Sequence, residues 1–308
     1  MGKTGEKDVR RVKKSPKRGW MYTRDVQLES VLVCPLCGST AAERWGNRFC
    51  ECYSCRVAFR PKAPDDQLAQ YWKNQYWSEA RIEWYMRRRS AFKHAKRVLE
   101  KYMPGKGIVL DIGCGVGEFL TLCAKDGWQT VGFEPSAIAC EVAKCSGIEV
   151  VNNFFSSNLL TQTACKGKVD AIFMSNILDQ VSDPLELLRE VNKVLKDGGV
   201  ILIRTPNITF NKILRLHRRN PRRNAPPQAK DTLYIFHPYT MKLLFQKVGG
   251  YKLSFLNSKP FVETQSQPVK RLLSSGVMFR VTNLLYWLTL RKVVITPSML
   301  VVAVKQAR

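Results

Sequence analysis

One stretch limits the possible folds of this chain more than any other: Gly107-Ile-Val-Leu-Asp111-Ile-Gly113-Cys-Gly115-Val-Gly117, an apolar run ending in an acid and three glycines at alternate positions. The branched run Ile108 to Ile112 has the length of a buried parallel strand, and the apolar spacing after Gly117 reads as the helix that follows it. Glycines are required where a backbone turns tightly and lies against a ligand with no Cβ in the way. The spacing here is G-x-G-x-G. Dinucleotide-binding loops instead run G-x-G-x-x-G, which leaves room for a pyrophosphate, and they lack an acid two residues ahead. Asp111 therefore sits where a cation is welcome.

Later segments arrive in the order that a parallel α/β sheet needs. Gln129-Thr-Val-Gly-Phe133-Glu134-Pro135 reads as a second strand ending in an acid, 23 residues beyond Asp111, where a carboxylate can accept both hydroxyls of a ribose. Val169 to Ser175 reads as a further strand running into a polar loop at Asn176. Leu187 to Leu195 has helical amphipathic spacing, and Lys196-Asp-Gly198-Gly199 turns the chain into the strand Val200-Ile-Leu-Ile-Arg204.

On these residues the chain, from about residue 85 onward, resembles the class I S-adenosylmethionine-dependent methyltransferases. It is similar to the subgroup with a pattern like Ser-His-Val-Leu-Glu-His-Val-x-Asp-Pro after the fourth strand, here Ser175-Asn-Ile-Leu-Asp179-Gln180-Val-Ser-Asp183-Pro184. Asn176 and Gln180 stand at the two histidine positions, so a base supplied by that loop in relatives is not matched here. The resemblance implies a doubly wound, mainly parallel, Rossmann-like sheet of seven strands, with Ser298 to Lys305 inserted antiparallel. It implies that Asp111, Gly113, Gly115 and Gly117 surround the methionine part of S-adenosylmethionine and that Glu134 holds the ribose, with Ser175 and Asn176 beside the cofactor. Phe133 and Phe154 are candidate walls for the adenine ring, with buried core as the alternative for both.

A second pattern lies at Cys34-Pro-Leu-Cys37 and Cys50-Glu-Cys52-Tyr-Ser-Cys55. Two C-x-x-C knuckles joined by a short segment point four thiolates at one tetrahedral zinc ion, and Cys34, Cys37, Cys52 and Cys55 are the expected ligands. Cys50 competes with Cys52 for one place, and the C-x-x-C spacing to Cys55 favours Cys52. Four thiolates close the coordination sphere, so the zinc is expected to be structural. A disulfide cluster is the alternative, and it sits poorly with a chain showing no secretory segment. A zinc ribbon followed by an aromatic linker such as Tyr71-Trp72 and Tyr76-Trp77 is an arrangement that the family resemblance also implies.

The expected organisation is a basic arm at 1–28 too polar to fold alone, a small zinc ribbon at 29–62, an aromatic helical linker at 63–88 and the methyltransferase domain at 89–308. Acceptor-side insertions are expected at 207–237 and 260–297. No apolar stretch is long enough to cross a bilayer, and a cytoplasmic location is expected.

The formal charge of +25 is unevenly placed. After Asp197, nineteen Lys or Arg face only Asp231 and Glu263, an excess of 17. The densest part, Lys212 to Arg223, follows the strand at Val200 to Arg204, on the edge where such sheets take ligands. Three readings of this excess stay open. It is a solvated face; it attracts an anionic or lipid-linked small-molecule or glycan acceptor at a membrane surface, with Phe279, Leu284, Leu285, Trp287 and Leu288 in the interface; or it attracts RNA. No recognisable RNA module accompanies the domain, so a small or lipid-linked acceptor ranks first, modified on oxygen. An RNA methyltransferase and a catalytically weak cofactor- or RNA-binding adapter are the alternatives.

A hydroxyl acceptor needs a group to take its proton, and the chain has three histidines, His94, His217 and His237. His237 is the best placed, in a segment Asp231-Thr-Leu-Tyr234-Ile-Phe236-His237-Pro238 that resembles the family's acceptor-side loop. Its alternative role is a helix cap. Asp179 and Tyr234 are the further candidates.

Overall fold

The computed structural model of the 308-residue chain describes residues 32–307 except 46–47, 62–64, 87–88, 166, 217–230, 260–275 and 290–293. The basic arm at 1–28 and the part of the basic run from His217 to Arg223 lie outside the described residues.

Three short strands come first, β1 (Ala42–Trp45), β2 (Phe49–Cys52) and β3 (Ala58–Phe59), then helices α1 (Asp65–Asn74), α2 (Glu79–Met86) and α3 (Arg89–Tyr102). Strand and helix then alternate: β4 (Ile108–Ile112), α4 (Glu118–Ala124), β5 (Gln129–Phe133), α5 (Ala137–Cys145), β6 (Glu149–Val151), α6 (Ser157–Leu160), β7 (Val169–Ser175), α7 (Pro184–Val194), β8 (Leu195–Pro206) and α8 (Ile208–Leu216). The chain closes with β9 (Tyr234–Ile235), α9 (Pro238–Val248), β10 (Tyr251–Asn257), α10 (Gly276–Leu288) and β11 (Ser298–Lys305).

Seven strands form one sheet in the order β10-β11-β8-β7-β4-β5-β6, and β11 runs antiparallel to both neighbours, as the resemblance implies. The strand order reverses at β4 and β7, which places the ligand crevice beyond the carboxyl ends of these two strands. The central strands are apolar on both faces because helices cover both. Leu110, Ile172, Met174, Ile201 and Ile203 pack to one side with Leu188, Val191, Met241 and Leu244 of α7 and α9. Val109, Ala171, Phe173, Val200 and Leu202 pack to the other with Phe92, Leu99, Phe119 and Leu120 of α3 and α4.

The turn expected at Lys196 to Gly199 is drawn into β8 as a bulge. Val169 pairs with Leu195 and Ala171 with Val200, so the exposed residues between them loop out while both flanks stay in the ladder. Helix α7 starts earlier than its apolar pattern suggests, because the Asp183 carboxylate accepts hydrogen bonds from the Leu185 and Glu186 amides at 2.9 Å and Pro184 occupies the first turn.

The small N-terminal sheet has four strands in the order β1-β2-β3-β9. Its fourth strand comes from residues some 175 positions downstream, within the segment expected as an insertion: Ala58 pairs with Ile235 and Phe59 with Tyr234. Further ties run between the two parts. The Arg60 amide donates to the Leu233 carbonyl at 3.0 Å, Thr240 Oγ1 to the Cys55 carbonyl at 2.6 Å and Lys247 Nζ to the Leu36 carbonyl at 2.9 Å.

Candidate active site and metal cluster

The loop after β4 is shaped by its glycines. Gly113, Gly115 and Gly117 have φ values of +72°, +55° and +75°, a region that side chains with a Cβ rarely adopt. Space adds to the constraint: a Cβ on Gly113 meets Ile177 Cδ1 at 2.1 Å, and one on Gly115 meets Trp77 Cζ2 at 2.6 Å. The amides of Gly113 and Cys114 donate to the Phe133 carbonyl at 2.7 and 3.1 Å, which ties the loop to the end of β5.

Glu134 follows at the tip of β5. Its Oε2 accepts from the Gly115 amide and its Oε1 from the Ser136 amide, both at 3.0 Å. Burial pushes this carboxyl up to about 7, against the pull of those two amides and of Trp77. Asp111 is buried too, and its Oδ1 has no hydrogen-bond partner. Burial, then the nearby Glu134, raises it well above the usual carboxylate range. Two desolvated acids with an orphaned oxygen form a site whose strain is relieved by a ligand carrying positive charge and hydroxyl donors.

Beside this loop lies a cavity of about 360 Å³. Gly113, Glu134, Phe154 and Asn176 line its floor, and Leu68, Trp72, Tyr76 and Trp77, from α1 and the loop after it, form its cover. Glu134 is the one charged side chain among the described residues that line it. Phe133 also lines the cavity, but its ring is 1% exposed and meets Phe155 edge-on, with centroids 5.2 Å apart. Phe154 is more open, 39% exposed, with Lys73 Nζ 5.5 Å from its ring centre. Ser175 and Asn176 both line the wall. Asn176 has φ +57°, and its Oδ1 accepts from Arg204 Nη1 at 3.0 Å, which fixes the amide against the cavity.

The three candidates for a proton acceptor lie elsewhere. None of His237, Asp179 and Tyr234 is among the residues that line the cavity. His237 caps α9: its Nδ1 accepts from the Tyr239 amide at 3.0 Å, and burial, with Arg56, Lys212 and Lys242 nearby, lowers it to about 4. The Tyr234 hydroxyl donates to the Ser182 carbonyl at 2.8 Å. Asp179 is buried within the loop after β7, where its main-chain carbonyl accepts from the Leu233 and Tyr234 amides. Burial pushes its carboxyl up to about 8. Trp72, Tyr76 and Trp77, expected as linker, wall the cavity, and Arg204, for which the sequence suggests no role, pins Asn176. The clustering of four aromatic residues at 71–77 was the available signal.

The cysteine cluster is compact. The sulfurs of Cys34, Cys37, Cys52 and Cys55 lie within 4.8 Å of one another, and Cys34–Cys55 and Cys37–Cys52 are each 3.6 Å apart. Thiolates at about 2.3 Å from a central zinc ion stand roughly 3.8 Å apart at the corners of a tetrahedron, so the donor set fits that ion. Cys34 is held down to about 5 by the Cys55 thiol, and the same contact raises Cys55, as expected when packed sulfurs share protons that a divalent cation replaces. Cys50 is buried outside this group, and burial raises its thiol.

The raised carboxyls have a measurable consequence. Glu134 moves from 4.5 to about 7 and Asp179 from 3.8 to about 8, so the folded chain holds protons that the unfolded chain has released. Stability from these groups is fully present below their unfolded values and is lost as pH rises through the folded ones. Calorimetry of the ligand-free protein should therefore give a higher Tm near pH 5.5 than near pH 8; a Tm that rises over this window contradicts the assignment.

A family model described as a methyltransferase domain matches residues 64–252. Similar curated proteins include the ubiquinone biosynthesis O-methyltransferase of Actinobacillus pleuropneumoniae serotype 7, 34% identical over 109 residues, covering 33% of this chain and 47% of that protein. The protein of the same name from Dinoroseobacter shibae is 31% identical over 116 residues, covering 36% and 46%. The chain thus spans about half the length of these relatives. Among solved structures, the plantazolicin methyltransferase BpumL in complex with a monoazolic desmethylPZN analog and SAH superposes with a TM-score of 0.50 at 16% identity, over 78% of this chain and 94% of that one. That likeness concerns the fold.

Proposed function

The chain belongs to the class I S-adenosylmethionine-dependent methyltransferases, and from that premise we propose that it methylates an oxygen of a small or lipid-linked acceptor whose reacting end is uncharged and largely apolar. The observation that carries this reading is the cavity beside the glycine loop, where Glu134 is the only charged side chain among the described lining residues and Trp72, Tyr76, Trp77 and Phe154 supply flat apolar walls. No Lys or Arg is among the described residues that line it.

The residues present fit the cofactor. Asp111 and Glu134 offer buried carboxylate oxygens to a cationic, hydroxyl-bearing ligand, and Gly113 adds no side chain to the cavity wall. When bound there, S-adenosylmethionine supplies a methyl group on a positively charged sulfur. The chain's own part is positioning: Asn176, pinned by Arg204, and the aromatic walls hold the acceptor. As the new carbon–oxygen bond forms and the carbon–sulfur bond breaks, the hydroxyl proton must leave. With no His or Lys among the described residues lining the cavity, an acceptor hydroxyl of phenolic acidity, far easier to deprotonate than an aliphatic alcohol and able to pass its proton to solvent as the bond forms, suits it best.

Ribose hydroxyls donate to an ionised carboxylate, so cofactor affinity should rise as pH increases through about 7, where Glu134 loses its proton. Titration calorimetry of S-adenosylmethionine at pH 6 and pH 8 reads this directly.

The test of the whole reading is methyl transfer from labelled S-adenosylmethionine, on protein freed of nucleic acid by ribonuclease and high salt. A panel should pair phenols and prenylated phenols with RNA. Transfer to a phenol supports the proposal. Transfer to RNA alone promotes the second reading, which the excess of 17 positive charges after Asp197 favours. Cofactor binding with no transfer to any acceptor favours the adapter.

A further inference from the structure

Helix α10 presents two faces of different character. Its inner face is anchored at the end of β10: the Tyr286 hydroxyl donates to the Phe255 carbonyl at 2.9 Å, and Asn257 Nδ2 donates to the Thr282 carbonyl at 3.0 Å. Phe279 packs edge-on against His94 of α3, with ring centroids 5.3 Å apart. The outer face is apolar and open to solvent, with Leu284 59%, Trp287 55% and Leu288 70% exposed beside Val281 and Leu285. Val281, Leu284, Leu285 and Leu288 stand at i, i+3, i+4 and i+7, and Trp287 follows Leu284 by three residues, so the five share one face of the helix.

Scattered exposed leucines need no explanation, but five large apolar residues on one helical stripe call for a cover. At 13 residues the helix is about 20 Å long, and no described helix is long and apolar enough to cross a membrane. The sequence around the helix is basic. Arg280 is exposed on the helix itself, Arg291 and Lys292 follow it in the sequence, and the chain after Asp197 carries the excess of 17. An apolar stripe on a helix that bears exposed Arg280, in the most basic part of the sequence, matches an anionic lipid surface, where the side chains enter the headgroup boundary and cations meet lipid phosphates.

The helix also sits at the right edge of the sheet. Asn257 pairs with Met299 and Met299 with Thr205, next to Arg204, which pairs with Ser175 at the cavity. Arg204 links the two places directly, donating through Nε to Ser258 Oγ at 3.1 Å and through Nη1 to Asn176. The anchor of α10 and the mouth of the cavity therefore share the carboxyl edge of the sheet.

We propose that α10 is a peripheral docking helix that seats this edge of the protein on an anionic bilayer surface, so that an acceptor held in the membrane is presented to the cavity. The docking itself stands apart from the methyl-transfer reading; only the purpose assigned to it rests on that reading.

The experiment is sedimentation of the full chain, freed of nucleic acid, with vesicles of phosphatidylcholine alone and of phosphatidylcholine with phosphatidylglycerol. Binding to the anionic vesicles is expected to weaken with added salt and to fall at least tenfold in the combined variant Leu284→Gln, Trp287→Gln, Leu288→Gln. Affinity of the same variant for S-adenosylmethionine should stay within about twofold of wild type, which shows that the fold and the cofactor site survive. Three results overturn the proposal: no binding of the wild type to anionic vesicles, equal binding of the variant, or a wild-type dimer that the variant dissolves in analytical ultracentrifugation, which would assign the stripe to a second copy of the chain.

Discussion

Glu134→Ala is expected to lower affinity for S-adenosylmethionine at least tenfold, about 1.4 kcal/mol, in a calorimetric titration at pH 8. A hydrogen bond to a charged group contributes about 1.5–3 kcal/mol, and two ribose hydroxyls stand to lose their acceptor. Part of the loss is indirect, because the Gly115 and Ser136 amides lose the carboxylate that positions the loop. Stability should move differently from affinity. The buried carboxylate is held above its usual range by desolvation, so its removal relieves a cost at pH 8 and should leave the Tm of the ligand-free protein close to wild type. Asp111→Ala should weaken binding by a similar factor, since its Oδ1 is buried beside the glycine loop without a hydrogen-bond partner. Unchanged affinity in both variants would remove the cofactor assignment.

The second large effect is expected at Cys52, which is fully buried with its sulfur 3.6 Å from that of Cys37. Cys52→Ser should lose the one equivalent of zinc that metal analysis of the wild type is expected to show, and should destabilise the protein by at least about 3 kcal/mol. That is a fraction of the roughly 10–16 kcal/mol associated with structural zinc in small fingers. In a chain of this size it lowers Tm by roughly 5 °C. The effect should not stay local, because β3 pairs with β9, the Cys55 carbonyl accepts from Thr240 of α9, and the Leu233 and Tyr234 amides bond the Asp179 carbonyl. The last of these supports the loop whose Gln180 and Ser182 line the cavity. Acceptor turnover should accordingly fall more than cofactor affinity. Cys50→Ser is the contrast and should retain the metal. Wild-type protein purified under reducing conditions without metal, or a Cys50 variant that loses metal while the Cys52 variant keeps it, contradicts the ligand set.

Residues close in sequence were the legible ones. The strand, glycine loop and helix from Ile108 onward, the acid closing β5, and the two cysteine knuckles each act through backbone geometry over a few positions, so their chemistry is written in local spacing. The family likeness added what spacing cannot supply, the antiparallel place of Ser298–Lys305. His237 shows the limit: its neighbours Pro238 and Thr240 mark a helix start, but whether the ring caps that helix or faces a ligand depends on its orientation, and here its Nδ1 is used by the Tyr239 amide.

The sequence by itself determined the glycine loop with its two acids and the four-sulfur set, because each is a short-range pattern whose geometry follows from residue type and interval. Tertiary structure alone decided that Trp77 packs over Gly115, that Arg204 pins Asn176, and that residues 234–235 complete a sheet begun at residue 42. These contacts join positions tens to hundreds of residues apart, and their energy comes from burying surfaces that meet only once the whole sheet is assembled.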